Sequence, residues 1–164
     1  DKFTALVFHL PYTKMGLKAL RSVIEDLDND DLKERLLEHF EESRYLNREV
    51  GNLYTGSLYL SLLSLLHARN LKAGDQIGLF SYGSGAEGEF YSAKVVEGYE
   101  KYVTDEEIAF LVQITSVSVA EYEQIYRSFM KPQTADYRTE FENDPAPFVL
   151  KGQQQQQRIY EKVN

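Results

Sequence analysis

The sequence predicts an α/β fold in which a mixed sheet is covered by helices, and three observations carry that expectation. The run Thr4–Leu10 is short, apolar and bounded by charge on one side and Pro11 on the other, as in a buried strand. Two further strand-like segments, Gln76–Tyr82 and Glu89–Val96, flank a glycine-rich turn, Gly83–Gly88. Between these lie segments whose apolar residues recur with helical spacing.

The elements follow in order. Pro11 ends the first strand, and Thr13 caps a helix to about Asp26 with Met15, Leu17, Leu20 and Ile24 as its apolar stripe. Asp30 caps a second helix to about Leu46, with Leu32, Leu36, Phe40 and Tyr45 on one face. Thr55 caps a helix over Gly56–Arg69 that is apolar or small nearly all round, which implies burial on several sides. Its small residues Gly56, Ser57, Ser61 and Ser64 permit close backbone approach, and Asn70 and Gly74 mark its exit. After the two strands, a helix spans about Asp105–Ile114. Ser118 opens another, with Glu121 completing a capping box, to about Met130. Lys131–Ala146 is mostly polar, with a short helix near Ala135–Glu142. Phe148–Leu150 and Arg158–Val163 read as late strands, and the low-complexity run Gln153–Gln157 as a solvated turn or disordered segment.

Composition bounds the function. With 164 residues, 43% hydrophobic and 27% charged, the chain is one ordinary soluble globular domain, with no linker for a second. No run has the length of a membrane helix, no signal peptide is read, and the Asp1 start suggests a piece of a longer protein. A net charge of −8 argues against nucleic acid. With no cysteine, disulfides, thiolate metal sites and cysteine nucleophiles are excluded for this chain. His39 and His67, two of the three histidines, sit in helix-like contexts, so no metal site is expected.

Four features could carry chemistry, and each has a plainer reading. His9, at a strand end, could be a half-buried core histidine. Asn52 could be only a turn residue, and the Ser81–Gly85 segment only a hairpin turn. Lys14 and Lys18 stand one helical turn apart, with Arg21 beyond. Such a row is usually a solvated face, but beside a helix N-terminus it could bind phosphates. In open α/β sheets, ligands collect outside the carboxyl ends of strands. Convergence of His9, Asn52 and the turn would place an imidazole, an amide and backbone N–H groups around one carbonyl oxygen, where charge develops during C–C bond formation or acyl transfer. Ser84 itself lacks a paired base, and its flanking Gly83 and Gly85 do not form a nucleophile elbow.

Three motifs in the same order, ALVFHLPYTKMGLKAL (5–20), VGNLYTGSLYLSLLSLL (50–66) and IGLFSYGSGAEGEFYS (77–92), resemble the C-terminal half of bacterial hydroxymethylglutaryl-coenzyme A (HMG-CoA) synthase, a thiolase-superfamily acyltransferase. The likeness continues more weakly through SVSVAEYE (116–123). It implies half of a thiolase-like αβαβα fold, with the apolar helix of residues 56–69 as a central layer between two halves. It also implies condensation of acetyl-CoA with acetoacetyl-CoA in the mevalonate route to isoprenoids. In that frame His9 polarises the acetoacetyl carbonyl and Asn52 holds the same substrate. The backbone of Ser84 lines the acyl pocket, Tyr82 shapes it, and Lys14 and Lys18 lie near the CoA phosphates and pantetheine entrance.

The family's acetylated cysteine and its proton-moving glutamate belong to the N-terminal half, and neither motif is present here. The resemblance therefore implies a fragment that is inactive alone, whose partner is that missing half. It further implies a cytoplasmic location, a homodimeric full-length enzyme, no cofactor beyond the CoA thioester substrates, and neither membrane nor nucleic acid as partner. Two other readings are a related enzyme that builds β-branches on polyketide chains with an acyl carrier protein, and a non-catalytic interaction domain of the same fold. The close wording PYTKMG and both lysines favour the first reading.

Overall fold

The computed structural model describes residues 2–129, 134–140 and 146–163. The chain forms two compact units, Asp1–Thr115 and Ser116–Asn164. In the first, β1 (Ala5–Phe8) pairs in parallel with β2 (Gln76–Gly83), Ala5 opposite Ile77 and Phe8 opposite Phe80. Strand β2 pairs antiparallel with β3 (Glu87–Lys94), so the sheet is mixed, in the order β1-β2-β3.

All four residues of β1 are buried, because helices cover both of its faces. Ala5 and Val7 pack with Ile77 and Leu79 against Leu58 and Leu65 of α4 (Ser57–His67). Leu6 and Phe8 pack on the other side with Leu20 and Ile24 of α1 (Thr13–Ile24) and Leu36 and Phe40 of α2 (Asp30–Ser43). A third cluster joins Leu46 of α3 (Tyr45–Val50), Leu60 of α4 and Ile108 of α5 (Asp105–Val112). Each buried side chain of this size contributes about 1.5–3 kcal/mol. Helix α4 serves two clusters at once, as its all-round apolar composition requires.

At Gly16, α1 lies close against Leu10 and Phe40. A Cβ there would stand 2.5 Å from Leu10 Cδ2 and 2.8 Å from Phe40 Cε2.

Several boundaries differ from the sequence expectation. The N-cap of α1 is Tyr12, whose side chain makes no cap bond, and Thr13 is the first helical residue. Met15 is exposed, and Gly16 takes its place on the buried face. Asn29 rather than Asp30 caps α2, its side chain accepting the Leu32 N–H, because an Ncap residue must lie one position outside the helical backbone. The second helix ends at Ser43, and exposed Tyr45 begins α3. A 3₁₀ turn, Tyr54–Gly56, precedes α4, so Thr55 caps nothing.

In the second unit, Ser118 caps α6 (Val119–Ser128) with the expected capping box to Glu121. The helix expected near Ala135–Glu142 is instead β4 (Tyr137–Arg138), paired with β5 (Phe148–Gln154); Glu142 and the expected α6 end at Met130 lie outside the described residues. Strand β5 pairs with β6 (Gln157–Lys162), and the glutamine run forms their hairpin. Gln155 and Gln156 both have positive φ, 48° and 66°, the backbone of a two-residue turn whose twist matches the strands. Among the described residues no helix is long and apolar enough to cross a membrane, and no acid–histidine group could hold a metal.

Candidate functional site

Because β1 and β2 are parallel, their carboxyl ends share one edge of the sheet, and the residues just beyond each strand meet there. His9 follows β1, its N–H extending the ladder to the Phe80 carbonyl at 2.9 Å. The turn after β2 supplies Ser84. A cavity of about 290 Å³ lies between them, lined by His9, Asn52, Tyr54, Tyr82 and Ser84 among others. Its volume is at the low end for ligand pockets.

The His9 imidazole is half-buried, its ring 6.0 Å from that of Tyr82 and tilted by 48°. Burial holds its pKa below the ordinary imidazole value, so the ring is neutral near pH 7. Nδ1 is buried without a hydrogen-bond partner among the described residues. A neutral imidazole donates from one nitrogen only, which suits a hydrogen bond to a carbonyl oxygen better than a fixed positive charge.

Asn52 sits in a tight turn after Gly51, whose φ of 87° needs glycine. Its Oδ1 accepts the Tyr54 N–H at 2.7 Å and the Ser57 hydroxyl at 3.3 Å. Nδ2 is thereby left as the unpaired end of the amide among the described residues. Tyr54 has a φ of 56°, an uncommon conformation for an aromatic residue, and its hydroxyl bonds the Ser84 hydroxyl across the cavity. The structure thus brings His9, Asn52, Tyr82 and Ser84 together. Tyr54 was missed, since no local pattern marks it; only its place two residues after Asn52 hinted at it.

A cleft of about 540 Å³ adjoins, with Pro11 and Asn52 lining both spaces. Lys14 and Arg48 face it from α1 and α3. The first turn of α1 carries no acidic residue and no side-chain cap. Arg48, which the sequence reading passed over, also bonds Glu41 at 2.8 Å. Lys18 is exposed one turn beyond Lys14 and lines neither space.

Residues 31–126 match the family described as "Hydroxymethylglutaryl-coenzyme A synthase C terminal". The chain belongs to this family. Asn52, Tyr82 and Ser84 fall within the matched span, while His9, Lys14 and Lys18 precede it. The chain is 52% identical over 126 residues to the hydroxymethylglutaryl-CoA synthase of Enterococcus faecalis, covering 76% of this chain and 33% of that protein. It is 32% identical to the human mitochondrial hydroxymethylglutaryl-CoA synthase over 133 residues, 58% of this chain and 26% of the relative. The chain thus spans about a third or less of these curated relatives.

Among solved structures, an HMG-CoA synthase complexed with CoA matches with a TM-score of 0.85 and 40% identity, over 99% of this chain and 42% of the other. The curacin-pathway HMG synthase in complex with an acetyl donor acyl carrier protein (ACP) matches with a TM-score of 0.82 and 26% identity, over 99% and 43%. The fold of the family is therefore the mixed α/β, thiolase-like one expected.

Proposed function

We propose that this chain is the carbonyl-polarising part of an HMG-CoA synthase that joins acetyl-CoA to acetoacetyl-CoA on the route to mevalonate and isoprenoids. The observation that carries this reading is the meeting of a neutral His9, the Asn52 amide and the Ser84 turn at one sheet edge. When a carbon nucleophile adds to the acetoacetyl ketone, the C=O electron pair moves onto oxygen. The His9 N–H and the Asn52 Nδ2–H₂ are the donors that meet that charge, and the Ser84 backbone lines the acyl pocket. Tyr82 packs the imidazole in place. Lys14 supplies positive charge at the adjoining cleft for the CoA phosphates, and Lys18 adds to it from the next turn of α1.

The nucleophile is not in this chain, which has no cysteine. The acetyl-enzyme and its acid–base glutamate belong, in this reading, to an N-terminal half that docks with this one. The full enzyme is then a cytoplasmic homodimer that uses CoA thioesters as substrates and needs no cofactor. The alternative, condensation on an acyl carrier protein, is supported by the likeness to the curacin-pathway synthase. The higher identity to the CoA-bound structure and the basic cleft favour CoA.

The test is a titration of the isotope-labelled chain with acetoacetyl-CoA, followed at the His9 ring nitrogens. A saturable shift at His9 is expected. Binding that leaves His9 unmoved rejects the assignment.

A further inference from the structure

Three buried polar side chains behind the cavity connect two of its walls. Asn47, Ser57 and Ser61 are only 3%, 0% and 0% exposed. The Ser61 hydroxyl stands 2.9 Å from both Asn47 Oδ1 and the Ser57 carbonyl, which share its one proton, and 3.4 Å from the carbonyl of Phe8, the residue before His9. Asn47 Nδ2 donates to the Ser57 carbonyl at 3.2 Å. Ser57 Oγ accepts the Leu53 N–H at 3.1 Å, which leaves its own proton for Asn52 Oδ1 at 3.3 Å. A continuous polar path therefore runs from the end of β1 to the turn that carries Asn52.

Helix propensity does not explain these serines. Alanine suits a helix better, and a buried hydroxyl costs free energy unless it is bonded. The bonds supply the reason. A primary amide can sit in either of two orientations, and Asn52 Oδ1 is met by the Tyr54 N–H, which can only donate. Ser57 adds a second donor: one lone pair of its Oγ accepts the Leu53 N–H while its proton is given to Asn52 Oδ1. A flipped Asn52 would set its NH₂ against the Tyr54 N–H and forfeit the bond donated by the Ser57 hydroxyl.

We propose that Ser57, itself held by Asn47 and Ser61, is a positioning residue that fixes the Asn52 carboxamide with Oδ1 turned to α4 and Nδ2 left for the cavity. The proposal rests on the reading that Asn52 serves the acetoacetyl group. Amide exchange and ligand titration of the labelled 164-residue chain test the two separately. In Ser57→Ala, the Leu53 and Tyr54 amides should exchange about fivefold to tenfold faster, the span one hydrogen bond allows. The His9 amide, bonded to Phe80, should keep its protection.

Acetoacetyl-CoA should shift the Asn52 Nδ2 resonance in the wild type and bind Ser57→Ala about fivefold to tenfold more weakly, with Ser57→Thr restoring the hydroxyl and the binding. Wild-type exchange rates at Leu53 and Tyr54 in Ser57→Ala would overturn the proposal. Faster exchange in a chain that ignores acetoacetyl-CoA would uphold the positioning of the amide and remove the substrate reading instead. Should Ser57→Ala fail to fold, Asn52→Ala on the exposed turn replaces it. Tyr54 should then lose protection while Leu53, still bonded to Ser57, retains it; equal behaviour of the two amides would overturn the proposal.

Discussion

On the proposed reading His9 polarises a carbonyl, a task that suits an imidazole which holds one proton and keeps it. Burial does this for His9 by disfavouring the imidazolium, so its titration midpoint should lie below the ordinary value of 6.5, as read by NMR of the ring. The stability consequence has a definite sign. Between the lowered folded value and 6.5 the unfolded chain binds more protons at this site, so stability rises with pH across that window and is flat above it. Thermal melts of wild type and His9→Gln should therefore differ in slope below pH 6.5 and run parallel above it. In an enzyme reassembled with the proposed N-terminal half, His9→Ala should cut turnover by about 10²–10³-fold, typical of losing one oxyanion donor. Acetylation of the partner's nucleophile should be spared, and the two steps are separable by trapping the acetyl-enzyme.

At the scale of elements, strand pairing depends on how closely backbones approach. Gly152 in β5 has a φ of 154°, and a Cβ there would fall on the Tyr137 carbonyl of β4. Gly152→Ala should therefore release the β4–β5 pairing, costing on the order of 1–3 kcal/mol. Amide exchange should show lost protection in the second unit while the β1–β2 ladder keeps its own.

The same elements show what a sequence can and cannot disclose. β1, the β2–β3 hairpin and the Ser118 cap were legible because their determinants are local: an apolar run, a glycine-rich turn, a capping box. Tyr137–Arg138 read as helix because the hydrogen bonds that make it a strand come from residues fifteen or so positions away. The glutamine run, expected as a solvated turn or disordered segment between two late strands, is a turn, but a tighter one: Gln153 and Gln154 extend β5, Gln157 begins β6, and the pairing imposes positive φ on Gln155 and Gln156. His9, Asn52 and Ser84 stood out through their motifs, while Tyr54 and Arg48 acquire meaning only once α3, α4 and the β2 turn are in place.

For the molecule as a whole, charge and chemistry set the limits. Against a net charge of −8, anion binding needs local positive charge. In an enzyme containing both halves, Lys14→Gln with Lys18→Gln should weaken CoA binding and flatten its salt dependence, measured by calorimetry from low to physiological salt. Lys14 should account for most of the effect, since Lys18 lines neither the cavity nor the cleft. The chain alone should release no thiol from acetyl-CoA and acetoacetyl-CoA, because polarising a carbonyl stabilises charge without creating an acyl-enzyme. Sustained turnover by the purified chain would overturn the mechanism.

The parallel pairing of β1 with β2 also has a kinetic meaning. Residues 5 and 77 are partners, so the edge that holds His9 and Ser84 closes a loop containing four α-helices and a 3₁₀ turn. Loop closure on that scale costs entropy before any strand contact repays it, and non-local strand pairing is the slow part of folding. During refolding from denaturant, helical circular dichroism should recover first. The ring contact between His9 and Tyr82, followed by tyrosine fluorescence against a Tyr82→Phe control, should recover last. The cavity then comes into being in the same step that commits the first unit to its native state, and a chain caught before that step has helices but no site.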